Sequence, residues 1–178
     1  MSDQGREPGG AGRWPIGFVA AGALCAALAA TLLLKPGPLL LWNASASSPL
    51  GLYWIRSPDG LGVGDIAIAW PPLAARRLAA RRHYLPDGVP LVKNVAAASG
   101  AFVCARGPIV FINGRRAAVR RSRDRAGRLL PWWSGCRTLG KGDLLLLAPE
   151  VPEAFDGRYF GITSASEVIG KGTLLWRR

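Results

Sequence analysis

Residues 91–114 read L-V-K-N-V-A-A-A-S-G-A-F-V-C-A-R-G-P-I-V-F-I-N-G. Three apolar runs of strand length, Leu91–Ala98, Ala101–Ala105 and Pro108–Ile112, are separated only by turn residues. The last closes on Asn113-Gly114, the strongest short-range hairpin signal a sequence carries. Runs this short and this closely spaced predict neighbouring antiparallel strands. The pattern continues outward on both sides. Gly51–Arg56 is an aromatic-rich strand candidate, and Gly62–Trp70 reads as a turn followed by Ile66, Ile68 and Trp70 alternating with small residues. Asp143–Leu147, Tyr159–Ile162 and Thr173–Trp176 are further strand candidates. Leu73–His83 suits a short helix with Arg76, Arg77, Arg81 and Arg82 on a basic face that lies in solvent or against lipid phosphates. Pro86–Pro90 is a loop. Arg115–Arg128 holds seven arginines and reads as an exposed return strand and loop. The expected fold class is mainly β, with antiparallel sheets.

Lys93 is the one lysine of four that lies within an apolar run. Lys35 follows a long apolar segment, and Lys141 and Lys171 sit in the glycine turns G-K-G-D and G-K-G. Burial disfavours the charged form of an amine, so a desolvated Lys93 becomes a general base. In the other reading Lys93 points outward and stays charged. A hydroxyl becomes a nucleophile only when a base holds its proton. Residues 43–53, N-A-S-A-S-S-P-L-G-L-Y, offer Ser45, Ser47 and Ser48. The single histidine, His83, lies in R-R-H-Y and suits a solvated imidazole, so a Ser-Lys pair is the arrangement the residues allow.

The chain has 178 residues, enough for one domain and an anchor. Residues 1–14 read as a short polar tail, residues 15–34 as a transmembrane anchor, residues 35–42 as a membrane-proximal linker and residues 43–178 as the catalytic domain. Pro15–Leu34 carries no charge and suits one membrane crossing. A cleaved signal peptide is the competing reading, with a weak small-residue site in Asn43–Ala46. Lysines and arginines number 23 against 11 acids, a net charge of +12. Such a balance favours a polyanion, and beside an apolar anchor the anionic lipid surface is the expected one. No nucleic-acid-binding signature is visible, and nucleic acid is not an expected partner. Cys104 and Cys136, with no histidine cluster and no C-x-x-C, do not suggest a metal. We expect them to form a disulfide, which implies an oxidising compartment such as the periplasm. Two buried free thiols are the alternative.

Together these segments resemble the type I signal peptidase family (peptidase S26), and within it the conjugative-transfer, TraF-like branch of pilin-maturation peptidases. Four motifs carry the resemblance: S-A-S-S-P-L-G-L-Y from Ser45, G-D-I-A-I-A-W from Gly64, L-V-K-N-V-A-A-A-S-G from Leu91 and F-D-G-R-Y-F-G from Phe155. C-R-T-L-G-K-G-D from Cys136 also looks like the conjugative branch. The resemblance implies Ser47 as nucleophile, Lys93 as general base, and Ser45 with the Ser47 amide as oxyanion hole. It places Asp156 and Arg158 at the site's second rank, whereas on spacing alone they would form a surface ion pair. Ser48 replaces a common methionine, Asn94 an arginine, Ala101 an acid, and Gly157 a serine that can orient the lysine. The implied protein is a membrane-anchored serine endopeptidase in the bacterial inner membrane with its catalytic domain in the periplasm. Its partners would be lipid and a pilin or signal-peptide-bearing precursor. No cofactor or metal is implied. Product release would be by water or, in the conjugative branch, by the substrate's own amino terminus. A housekeeping signal peptidase and a non-catalytic anchored component of a conjugation channel are the alternatives.

Overall fold

The computed structural model of the protein describes residues 16–34 and 39–178. The expected polar tail, the start of the apolar run at Pro15 and the break at Pro36-Gly37-Pro38 lie outside the described residues. Ile16–Leu34 form the helix α1, 19 residues without a charged side chain. Within it residues 17–30 are all exposed. Among the described residues, no helix is long and apolar enough to cross a membrane.

Residues 39–178 make a second unit. Its first strands are β1 (Leu40–Asn43), β2 (Gly51–Arg56) and β3 (Ile66–Ala69), followed by the helix α2 (Leu73–Arg81). Then come β4 (Leu91–Ala97), β5 (Phe102–Arg106), β6 (Ile109–Ile112) and β7 (Arg115–Val119). The chain ends with β8 (Gly135–Thr138), β9 (Leu145–Leu147), a single helical turn α3 (Gly157–Phe160) and β10 (Val168–Arg177). Two antiparallel sheets result, one in the order β1-β2-β10-β3-β4-β9 and one in the order β7-β6-β5-β8. The Asn113-Gly114 hairpin forms as expected, with both residues at positive φ (49° and 77°).

The main core lies where the sheets meet. Ala97 of β4, Val103 and Ala105 of β5, Val110 of β6, and Leu145 and Leu147 of β9 pack together. A second cluster, Tyr53, Ile55, Ile68 and Val92, packs along β2, β3 and β4. Because side chains alternate across a strand, β2 buries Tyr53 and Ile55 while Trp54 and Arg56 stay exposed. β4 is paired on both edges, Ala67 facing Lys93 on one side and Leu146 facing Val95 on the other. It is therefore among the most enclosed strands, which determines the state of Lys93.

Several elements differ from the sequence expectation. Tyr159–Ile162 is not a strand: Asp156 accepts a hydrogen bond from the Arg158 amide and caps a helical turn over Gly157–Phe160. The helix expected over Leu73–His83 stops at Arg81, and His83 takes a left-handed conformation (φ 58°). Arg115–Arg128 is not uniformly exposed. The Arg120 side chain is buried, donating to the carbonyls of Trp133 (2.6 Å) and Gly107 and lying 4.8 Å from the Trp132 ring. β1 and β8 were not expected as strands, and β1 carries residues 40–42 of the expected linker into the large sheet.

Cys104 of β5 and Cys136 of β8 face each other across the ladder and are joined by a disulfide. It closes a sequence separation of 32 residues around β6, β7 and the arginine-rich segment. A loop of this size constrains the unfolded chain appreciably. Cys136→Ala is expected to lose about 2–4 kcal/mol of stability in denaturant titration. Reducing the wild-type protein should lower its midpoint to nearly the same value.

Candidate active site

The serine stretch Ala44–Leu50 has no regular structure, so its conformation must come from side-chain bonds. Asn43, at the end of β1 and 6% exposed, supplies them. Its amide nitrogen donates to the carbonyls of Ser45 (3.0 Å), Ser48 (3.2 Å) and Pro49 (3.0 Å). Its oxygen accepts from the Ser45 amide at 3.0 Å. One side chain thus gathers the loop around itself. Two further bonds fix the loop to the sheet. Buried Ser48 donates through Oγ to the Val92 carbonyl at 2.8 Å, and the Tyr53 hydroxyl donates to the Pro49 carbonyl at 2.8 Å.

Val92 precedes Lys93, so the Ser48 bond sets the loop directly beside the lysine. Lys93 is 4% exposed, and its Nζ is hydrogen-bonded to Ser47 Oγ. Ser45 Oγ lies 2.9 Å from Ser47 Oγ on the solvent side. The outward-pointing alternative for Lys93 is excluded: the amine meets Ser47, 46 positions earlier in the chain, whose hydroxyl is in turn bonded to that of Ser45. Burial pulls the Lys93 pKa down to about 8, with the Asp156 carboxylate opposing and the Arg158 guanidinium reinforcing the fall.

Asp156 and Arg158 are a buried pair, not a surface one, at 0% and 3% exposure. Asp156 Oδ1 accepts from Arg158 Nε at 2.8 Å and from the Arg158 amide at 3.1 Å. Its Oδ2 accepts from Arg158 Nη2 at 3.0 Å and from the Ala148 amide at 2.8 Å. Burial pushes this carboxyl upward from the usual range and Arg158 draws it back. Four N–H donors on two oxygens leave no room for a proton, so the group is the carboxylate. Arg158 also donates to the carbonyls of Ala148 (2.9 Å) and Pro152 (3.0 Å), which ties the loop before α3 to the site.

The sequence reading missed Asn43 and the anchoring role of Ser48. An asparagine before a serine run looks like an ordinary turn residue, and only the pairing of β1 with β2 brings its amide under the loop. A groove of about 810 Å³ opens at Ser47 and Lys93, bounded by residues 84–93, by Arg121–Leu130 and by Val151–Phe155. No group of metal-ligating side chains occurs among the described residues.

The sequence model of the family described as signal peptidase, peptidase S26, matches residues 13–177. The chain belongs to the peptidase S26 family. This S26 peptidase is 32% identical over 161 residues to a plasmid transfer protein TraF of Escherichia coli, a match covering 84% of this chain and 90% of that protein. A second plasmid transfer protein TraF of Escherichia coli is 33% identical over 138 residues, covering 71% and 77%. A crystal structure of a signal peptidase I from Enterococcus faecalis V583 matches with a TM-score of 0.38 at 20% identity, over 66% of this chain and 100% of that one.

One departure from the family motif has a steric basis in this S26 peptidase. A Cβ at Gly157 would lie 2.7 Å from the Leu146 carbonyl oxygen and 2.9 Å from the Leu145 side chain. The serine that the resemblance leads one to expect there has no space, so no hydroxyl from this position orients Lys93. The amine is held by burial and by Ser47.

Burying an amine costs stability, and the sign of the effect is testable. The Lys93 pKa falls from 10.5 to about 8 on folding. The cost is therefore full below about pH 8 and disappears as pH rises toward 10.5. Lys93→Met should be more stable than wild type by about 3 kcal/mol at pH 7. The two stability curves should converge between pH 8 and 10.5 in denaturant titrations. Asn43→Ala is expected to lose about 1–3 kcal/mol, since the buried Ser48 carbonyl and the Ser45 amide lose the side chain that bonds them, and the Ser45 and Pro49 carbonyls lose one of their two donors.

Proposed function

We propose that the protein is a serine endopeptidase working through a Ser47–Lys93 pair, and that it matures an exported precursor, a conjugative pilin, during plasmid transfer. The observation that carries this reading is the hydrogen bond between a buried Lys93 Nζ and Ser47 Oγ in a member of the S26 family. Kinship with two plasmid transfer proteins supports the conjugative role.

Neutral Lys93 takes the Ser47 proton as Ser47 Oγ attacks the scissile carbonyl. The Ser47 amide, which has no hydrogen-bond partner among the described residues, and the Ser45 hydroxyl then face the developing oxyanion. One such donor contributes about 3–4 kcal/mol in acyl transfer. Lys93, now protonated, gives its proton to the leaving amine. It then accepts a proton from the water that releases the acyl group. Asp156 and Arg158 hold the chain around the base and do not touch the reacting atoms.

The uncharged run over residues 15–34 serves as the inner-membrane anchor, and the catalytic body lies in the periplasm. The Cys104–Cys136 disulfide supports that placement, because such bonds persist in oxidising compartments.

Ser47→Ala and Lys93→Ala should each lower precursor cleavage by at least about 1000-fold while retaining the wild-type circular dichroism spectrum. For the wild-type enzyme, kcat/KM should rise about tenfold per pH unit below the lysine's pKa and level off above about pH 8. A flat profile between pH 6 and 9 is incompatible with Lys93 as the base.

A further inference from the structure

The groove that begins at Ser47 has an apolar floor and a basic rim. Leu41, Ala44, Val89, Leu91, Val151 and Phe155 line the floor, and Arg121, Arg123, Arg125 and Arg128 line the rim. All four arginines come from one segment, folded into a small hairpin by the Arg123–Leu129 bridge and the bond from the Leu130 amide to the Ser122 carbonyl (2.9 Å). Both flanks of the hairpin are fixed. On one, Asp124 accepts from Arg128 Nε at 2.7 Å and from the Tyr84 hydroxyl, with Arg82 Nη1 at 3.7 Å. On the other, Glu153 pairs with Arg121 at 3.0 Å and with Arg125.

This rigid rim is not neutral. Four guanidiniums, those of Arg82, Arg121, Arg125 and Arg128, share the two carboxylates of Asp124 and Glu153, and Arg123 adds a fifth positive charge to the segment. Arg123 donates to the Gly127 carbonyl at 2.6 Å and has no carboxylate partner among the described residues. A guanidinium carries five donors, so Arg121 and Arg125 keep N–H groups beyond those used on Glu153. Charge-assisted pairing of such forks with a carboxylate is geometrically specific.

We infer that the rim recognises a carboxylate of the bound peptide, with Arg123 as its main contact and Arg121 and Arg125 beside it, so that the substrate is an apolar peptide bearing an acid near the cleaved bond. The inference rests on the peptidase reading above and adds the substrate class. The carboxylate has two sources, an acidic side chain or the peptide's own carboxy terminus. The rim is exposed, so the gain in affinity is modest and falls with salt.

The test uses full-length Ser47→Ala protein in detergent and fluorescent peptides that carry Glu or Gln at successive positions, each with a free or an amidated terminus. Binding is followed by polarisation. At low salt, Glu over Gln, or the free over the amidated terminus, should tighten binding about five- to tenfold at one or two positions. The ratio should shrink at 0.5 M salt. Adding Arg123→Glu should reverse the preference. Adding Arg106→Glu, the same charge change on β5 outside the groove, should leave it intact. Equal binding of all peptides at every position overturns carboxylate recognition, as does an equal loss with Arg106→Glu. Labelling of wild-type Ser47 by a serine-reactive acylating probe is read separately. Its absence sinks the peptidase reading, whereas labelling without any carboxylate preference sinks this inference alone.

Discussion

The molecule is organised around one desolvated amine. An ammonium group taken from water into an apolar strand loses hydration that nothing nearby fully replaces. The proton is therefore held more weakly than on a solvated lysine, and the Lys93 pKa falls to about 8. The sheet makes this state unavoidable. β4 is paired along both edges, its neighbour opposite Lys93 is the small Ala67, and Leu91 and Val95 are buried on either side. A lysine on an edge strand would extend its flexible stem and return its charge to water.

The proposed chemistry needs a hydroxyl brought to this buried amine, and a loop rich in serine has no preferred conformation of its own. The fold solves this with polar bonds in a buried setting, where an unmade bond is expensive. Asn43 is central because an amide side chain offers both a donor and an acceptor. It bridges three carbonyls and an amide of the same loop, whereas a hydroxyl has one proton to donate and a carboxylate none. Ser48 then carries the loop onto the backbone of β4 itself. The strand that carries Lys93 and the loop that carries Ser47 are consequently one hydrogen-bonded unit.

How much of this could be read from the chain depends on the range of the interaction. Lys93 stood out because four lysines could be sorted by their local surroundings, and Ser47 because its motif is short and contiguous. The Asn113-Gly114 hairpin was likewise accessible from local pattern, and the Cys104–Cys136 pairing from there being two cysteines outside the apolar run and no metal-binding spacing. Asn43 was not, since its function appears only after L-L-W-N joins a sheet edge, and a run of four such residues following a membrane-length segment looks like a linker. Tyr159–Ile162 misled for a different reason. The aromatic and β-branched residues there favour a strand, but the Asp156 cap starts a helical turn over Gly157–Phe160 and outweighs them. Arg120 shows the same limit. Its burial depends on Trp132, Trp133 and the Gly107 turn, none of which a count of arginines reveals.

The buried Asp156–Arg158 pair explains how an acid can sit close to Lys93 without restoring the amine's ordinary pKa. A lone carboxylate in that position would attract the lysine's proton-bearing form and hold its pKa near the ordinary value. Here the guanidinium of Arg158 lies against both carboxylate oxygens, so the pair presents little net charge to Lys93. Its two members act on the amine in opposite directions, and desolvation remains the largest influence. The pair's hydrogen bonds meanwhile fasten the Ala148–Pro152 loop and the α3 turn beside the site. Replacing the arginine would therefore do more than loosen a loop: it would remove the main influence that keeps the buried Asp156 carboxyl charged.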